Sequence, residues 1–371
     1  MGYEIEFHPV GEGTKAGDAI TIRYGEPGNY KVMVIDGGTQ ESGVAVVAHI
    51  RSAYGLDTVI SDVISTHPDT DHCSGLREII RELPVERLWI HGLWYHAEDV
   101  LELFADKRWT SQGLFDAIRK EYCIVEELIN LARENGVAIN EPFAGQVIGP
   151  LTVLHPTKEF YQHLVPQFRK TPDCNVELLK QRNMWLGPSQ KGVLSRMFEA
   201  LATAATSWID ERWTNELLKE GAVTAAENES CTVMFGDFNG TGVLFTADAG
   251  VNGLHWACSN AEYLGLPITS AKLIQVPHHG SRSNVTPSIL NRLLGPVLPE
   301  GSPETKIAVV SAPKDDEKHP RKMVLNAFRR RGVGVRSTQG TRYRYHANMP
   351  VRANEKAAEV FAYFPKVEAY D

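Results

Sequence analysis

His67, Asp69, Asp71 and His72 place four metal-type ligands within the six-residue run His67-Pro68-Asp69-Thr70-Asp71-His72. The run follows residues 59–64, an apolar stretch that reads as a β-strand, so the four side chains stand on a turn at that strand's end. His67 and Asp69, at alternate positions, can point to one ion while Asp71 and His72 reach another. Imidazole together with carboxylate is a donor set suited to zinc, manganese or iron. A polar strand-end loop does not by itself call for this density of ligands.

Two later stretches repeat the arrangement. Residues 242–246 read as a strand running into Asp248-Ala249-Gly250, and residues 272–276 as a strand running into His278-His279-Gly280-Ser281. One aspartate after a strand is weak; three strand-end clusters form a constellation. Further strands are expected at 4–10, 19–24, 31–35 (leading to Asp36-Gly37-Gly38), 151–154 (leading to His155-Pro156), 232–235, 307–311 and 333–337. Helices are expected over 74–82, 97–135 and 321–331, the second carried by the spacing of Leu114, Ile118, Val125, Leu128 and Leu131. Two strand-rich halves, each followed by helices, predict an α/β fold of two packed sheets with helices outside.

The reading is of a single domain, 1–371, with a long excursion at 157–226. A helix is expected within it over 193–219, with Leu194, Met197, Phe198, Leu201, Ala205, Trp208 and Ile209 on one face. That face is expected to pack against the body or a second subunit.

The set Asp36-Gly37-Gly38, HPDTDH, Thr246-Ala247-Asp248-Ala249-Gly250 and His278-His279-Gly280-Ser281 resembles the metallo-β-lactamase hydrolases. It is similar in particular to the ComEC-like branch, the soluble hydrolase domain of bacterial DNA-uptake proteins, which carries an aspartate where the superfamily's H-x-H-x-D-H has its second histidine. Here that residue is Asp69. Gly17-Asp18, Asn228 with Ser230, and His319-Pro320 extend the resemblance, which covers residues 4–92, 145–156 and 227–345. It implies a four-layer αββα fold with a helical insertion and two divalent ions, zinc or manganese.

Carried over by position, the resemblance assigns His67 and Asp69 to the first metal, and Asp71, His72 and His279 to the second. Asp248 would bridge both. A water between two cations loses its proton near neutral pH and becomes the nucleophile, with Asp71 also orienting it. His278 and His319 are candidates for gripping a phosphate oxygen or protonating the leaving group. Asp18 and Asp36 would orient ligand histidines, while Asn228 and Ser281 are candidate substrate contacts, Asn228 also a weak ligand. Two departures stand out: the excursion at 157–226 is long, and Glu227-Asn228 replaces the third superfamily histidine. His155 is a pocket candidate, His91 and His96 read as packing or rim residues, and Cys73 as a small buried side chain.

Charge bears on the partner. The chain's net charge is −8, which argues against nucleic acid, yet ten Lys/Arg and no Asp/Glu lie between 318 and 352. The rest of the chain therefore holds 28 basic residues against 46 acidic ones. One positive surface is expected, with Arg329, Arg331, Arg342 and Arg344 as candidates for tracking a phosphate backbone. The remaining alternatives are a hydrolase of a small phosphoester or other ester, with the excursion as a lid, and a subunit of a larger, defence-type complex or homo-oligomer docking through 157–226. No apolar run is long enough to span a membrane. Five scattered cysteines with no C-x-x-C pair, and a start lacking a basic, apolar leader, lead to an expected cytoplasmic location.

Overall fold

A computed structural model describes residues 1–12, 16–182, 184, 207–316, 318–352 and 358–370. The strands of the first half are β1 (Gly2–Phe7), β2 (Ala19–Glu26), β3 (Asn29–Gly37), β4 (Ile60–Ile64), β5 (Arg87–Trp89) and β6 (Ala138–Asn140). Those of the second half are β7 (Val147–Ile148), β8 (Leu151–His155), β9 (Trp208–Asp210), β10 (Val233–Phe238), β11 (Thr241–Phe245), β12 (Leu273–Gln275), β13 (Lys306–Val310), β14 (Val333–Ser337), β15 (Tyr343–Ala347), β16 (Glu359–Val360) and β17 (Lys366–Glu368).

They form a seven-stranded sheet, β15-β1-β2-β3-β4-β5-β6, and an eight-stranded sheet, β16-β14-β13-β12-β11-β10-β8-β7, with β9 and β17 as a separate ribbon. Each large sheet joins a parallel set to antiparallel strands: β3 to β6 run parallel, and so do β11 to β14, with β16 antiparallel at the outer edge of β14. The chain crosses between sheets after β14, because β15 pairs antiparallel with β1 at the far edge of the first sheet.

Alternation along the strands fixes the layers. Tyr3, Ile5 and Phe7 of β1 join Ile20, Ile22, Met33, Ile35, Leu151, Met234 and Phe245 in a core between the two sheets. The opposite faces of the sheets are covered by helices, with Val46, Ile79, Leu128 and Tyr161 on one side and Leu254, Leu290 and Phe328 on the other. The result is the expected four-layer αββα architecture, a metallo-β-lactamase fold.

The helix Gln40–Ala53 is absent from the sequence reading. Its Val44, Val46 and Val47 suggest a strand, but the Thr39 side chain accepts from Ser42 N–H and caps the first turn, and burial of Val46, Val47 and Ile50 does the rest. This helix lies close to the loop after the metal-ligand run because Gly43 permits it: a Cβ there would stand 2.3 Å from the Gly75 carbonyl oxygen.

The excursion differs from expectation. Residues 193–206 lie outside the described residues, and so do Leu194, Met197, Phe198, Leu201 and Ala205. Over 207–219 the chain is not helical: Trp208 and Ile209 are exposed on β9, which pairs with β17. Pairing with a distant strand decided against the local periodicity. Leading into the excursion, Tyr161, Leu164, Phe168 and Leu179 are buried in the core of the first helical layer, and Leu218 is buried in that of the second. Among the described residues no helix is long and apolar enough to cross a membrane.

Candidate metal centre

The centre is assembled where parallel strands of both sheets end. Asp36 lies in the last turn of β3, the run His67 to His72 follows β4, Asp248 follows β11, and His278 and His279 follow β12. Clefts at the carboxyl ends of parallel strands are where loops converge with no strand to block them. Here the loops are tied to each other: Gly38 N–H donates to His72 O at 3.1 Å, Thr232 N–H to Thr66 O at 3.0 Å, and His278 N–H to Ala247 O at 3.1 Å. Gly17 also belongs to the frame, since a Cβ there would meet the Asp71 carbonyl oxygen at 2.0 Å.

Asp248 is the focus. His72 Nε2 lies 3.4 Å from its Oδ2, His278 Nε2 3.5 Å, His67 Nε2 4.0 Å, and His279 Nε2 3.7 Å from its Oδ1. Two donors bound to one zinc at about 2.1 Å stand roughly 3.4 Å apart in a tetrahedral sphere. The observed separations therefore suit atoms that share an ion better than atoms bonded to each other.

Polar satisfaction points the same way. Nε2 of His67, His72 and His279 and Oδ1 of Asp248 are buried and make no hydrogen bond. Such groups are costly unless something else engages them. Groups whose ligand atoms all lie within 4.8 Å of one another are Asp36, His67 and His72; Asp71, His72 and His279; Asp248, His278 and His279; and Asp18, His72 and Asp248. The donors present fit a divalent cation.

The outer nitrogens set the tautomers. His72 Nδ1 donates to Asp36 Oδ2 at 3.0 Å, and His279 Nδ1 donates to the Ser311 carbonyl at 2.8 Å. The Thr66 hydroxyl gives its only hydrogen to Asp36 Oδ2 at 2.6 Å, so it accepts from His67 Nδ1 at 3.0 Å. All three rings thus turn an Nε2 lone pair inward, as metal-binding histidines do. Asn284 acts similarly on His278: its Nδ2 donates to the Asp248 carbonyl at 2.8 Å, which leaves its Oδ1 to accept from His278 Nδ1 at 2.9 Å. Burial lowers the pKa of His278, which keeps that ring neutral.

Backbone strain is concentrated here. Asp36, Ala247, His278 and His279 all have left-handed φ, at 52°, 43°, 46° and 54°. Non-glycine residues hold such angles only where their surroundings over-determine them. For Ala247 the restraint is Gln275, whose Oε1 accepts from the N–H groups of Thr246 and Ala247 at 3.0 and 2.9 Å. That clamp aims Asp248.

Not every expected residue converges. The Asp69 carboxylate is turned toward Arg169, whose Nη2 lies 2.5 and 2.6 Å from its two oxygens, and it belongs to none of the close groups above. Burial alone would raise the Asp69 pKa, but His67 and Arg169 hold it below the usual carboxylate value. Asn228 is buried, with Nδ2 3.1 Å from Thr224 Oγ1 and 3.0 Å from His278 Nδ1. Ser281 accepts from Ser283 N–H, and His319 Nδ1 lies 3.2 Å from Asp316 Oδ2. His319 nonetheless flanks the centre, since Pro320 packs on Gly280 and Arg321 N–H donates to Gly280 O. His155 is buried and bonded to the Glu229 carbonyl, while His91 and His96 lie against Glu141 and Tyr161.

The four candidate arginines of the basic run are each paired with an acid. Arg329 pairs with Glu304 at 2.6 Å, Arg331 with Glu216 at 2.8 Å, Arg342 with Glu6 at 2.7 Å, and Arg344 with Glu4 at 2.6 Å. Arg330 is fully buried against Glu211, and Arg352 pairs with both Glu4 and Glu6. Acidic partners elsewhere in the sequence pair with these six arginines, which no local count of charge reveals.

Sequence reasoning missed Arg169, Thr66, Gln275 and Asn284. Arg169 lies in the excursion, 100 residues from Asp69, with no motif to mark it. Asn284 had a signal, a short amide just beyond the His278-His279 pair.

Among curated proteins, none matches the chain. Among solved structures it is similar to the metallo-beta-lactamase fold protein YhfI from Bacillus subtilis, at 9% identity over 94% of this chain and 100% of that one, with a TM-score of 0.40. It is also similar to the metallo-beta-lactamase SMB-1, at 11% identity over 78% of this chain and 87% of that one (TM-score 0.30). A third is AidC, a dizinc quorum-quenching lactonase, at 11% identity over 67% of this chain and 66% of that one (TM-score 0.29). Residues 17–159, which hold β2 to β8 and the whole His67 to His72 run, match the family model described as the Metallo-beta-lactamase superfamily.

Proposed function

We propose that this chain is a metal-dependent hydrolase that cleaves a phosphodiester. The observation that carries the reading is the convergence on Asp248 of buried Nε2 lone pairs from His67, His72 and His279, none with a hydrogen bond of its own. Zinc or manganese held there would lower the pKa of a bound water toward neutrality and would stabilise charge developing on a phosphoryl oxygen.

The chain's own residues supply the rest. Asp36, Thr66 and Ser311 lock the three rings in the ligand tautomer. Asp71 stands in the group with His72 and His279, where its carboxylate orients a water and takes its proton. His278 is partly open to solvent, with Nε2 3.5 Å from Asp248, so it meets a substrate from the open side, with His319 beside it.

The motif resemblance to the DNA-uptake branch supports DNA as the phosphodiester. The test is incubation of single- and double-stranded DNA, and of bis(p-nitrophenyl) phosphate, with Mn²⁺, Mg²⁺ and Zn²⁺ in turn. Cleavage is expected, and its loss in Asp71→Ala and His72→Ala; intact substrates with all three ions would sink the proposal. One observation favours a second reading, a small ester as substrate: Arg329, Arg331, Arg342 and Arg344 are held by carboxylates. Turnover of the chromogenic ester with DNA left intact selects it.

A further inference from the structure

We infer that Arg169 is a built-in cation standing in place of the ion on the His67 side, so that the centre binds one divalent ion tightly rather than two. The inference rests on the reading of this cluster as a metal centre.

The two sides of Asp248 are unequal. On one side His72, His279 and Asp71 form a close group, with Asp248 itself near His72. On the other side His67 Nε2 keeps Asp248 Oδ2 at 4.0 Å, but the Asp69 carboxylate that lies toward it is engaged elsewhere. Asp69 Oδ2 is 3.8 Å from His67 Nε2, yet both Asp69 oxygens are taken by Arg169 Nη2. Glu227 Oε1 accepts from the Arg169 backbone N–H at 2.5 Å and pairs with its Nε at 3.2 Å.

The guanidinium therefore ties together the carboxylates of Asp69 and Glu227. Tyr122 fixes the arrangement by donating to Glu227 Oε1 at 3.1 Å. Glu227 Oε2 is buried with no hydrogen bond, so this carboxylate depends on the guanidinium for its neutralisation. A charge-assisted arginine pair in a partly dry site is strong. A divalent ion placed at His67 must displace it or tolerate a like charge a few ångströms away.

The experiment counts metal. The full chain is stripped with chelator, reloaded with Co²⁺ or Zn²⁺, freed of loosely held ion on a desalting column and analysed by mass spectrometry of the elements. About one ion per chain is expected for the wild type and about two for Arg169→Met. Asp69→Asn is expected to stay at one, because Asp69 serves Arg169 rather than an ion. If Arg169→Met does not fold, Asp69→Asn decides: a count unchanged from one supports the inference. Two ions in the wild type, an unchanged count in folded Arg169→Met, or a loss of metal in Asp69→Asn overturns it and leaves the hydrolase reading standing. A wild type that retains no ion overturns both.

Discussion

Asp36 Oδ2 accepts the Nδ1–H of His72 at 3.0 Å, and the same oxygen takes the Thr66 hydroxyl hydrogen at 2.6 Å. One carboxylate at the end of β3 thus orients two histidines, His72 directly and His67 through Thr66. Asp36→Asn keeps the shape and tolerates the positive φ, since asparagine is among the few residues enriched there. It removes the charge that stabilises the ligand tautomer, so metal affinity is expected to fall about 10- to 100-fold. Competition with a chromophoric chelator measures this; an unchanged affinity would show that Asp36 serves only folding.

Bound metal and stability are linked. Ion held by the folded state alone stabilises it by about 2.7 kcal/mol when free metal is 100-fold above Kd. Chelator is expected to lower the Tm of the wild type and to leave His72→Ala unmoved, because that variant has lost a donor that belongs to three of the four close groups. Differential scanning calorimetry with and without EDTA reads both. Equal Tm shifts in the two proteins would place the bound ion elsewhere.

Glu229 provides a pH handle away from the ligand atoms. Burial pushes its pKa up from 4.5 to about 7, against the pull of the Gly253 N–H and Asn252 amide that donate to it. The folded state therefore holds the proton more tightly than the unfolded state. This stabilisation is complete below pH 4.5 and is lost between pH 4.5 and about 7, at about 1.4 kcal/mol per unit. Glu229→Gln is expected to match the wild type near pH 4.5 and to exceed it at pH 8 in urea unfolding. A difference that does not vary with pH contradicts the assignment.

Arg330 has no exposed surface; it reaches Glu211 at 3.2 Å and donates to the carbonyls of Arg212 and Trp213. Arg330→Met strands a buried Glu211 and is expected to cost about 3–5 kcal/mol, while Glu211→Gln added to it restores part of the loss. Urea midpoints at constant m-value measure both. A cost below about 1 kcal/mol would put the pair in the class of exposed ion pairs.

Much of this protein is written in local patterns. The apolar runs ending in His67 to His72, in Asp248 and in His278-His279 located the parallel strands and the candidate ligands at their ends, because a buried strand and a polar turn differ in composition over a few residues. Alternation then determined which faces meet between the sheets. What needed the tertiary structure is everything that depends on residues far apart in the chain. Asp69 and Arg169 meet across 100 positions, and Arg342 and Arg344 find Glu6 and Glu4 across more than 300. The basic run looked like a binding surface because sequence records charges but not their partners. A charge's meaning is set by the low-dielectric neighbour that neutralises it, and only the packing of β15 on β1 and of the excursion on the metal centre brings those neighbours together.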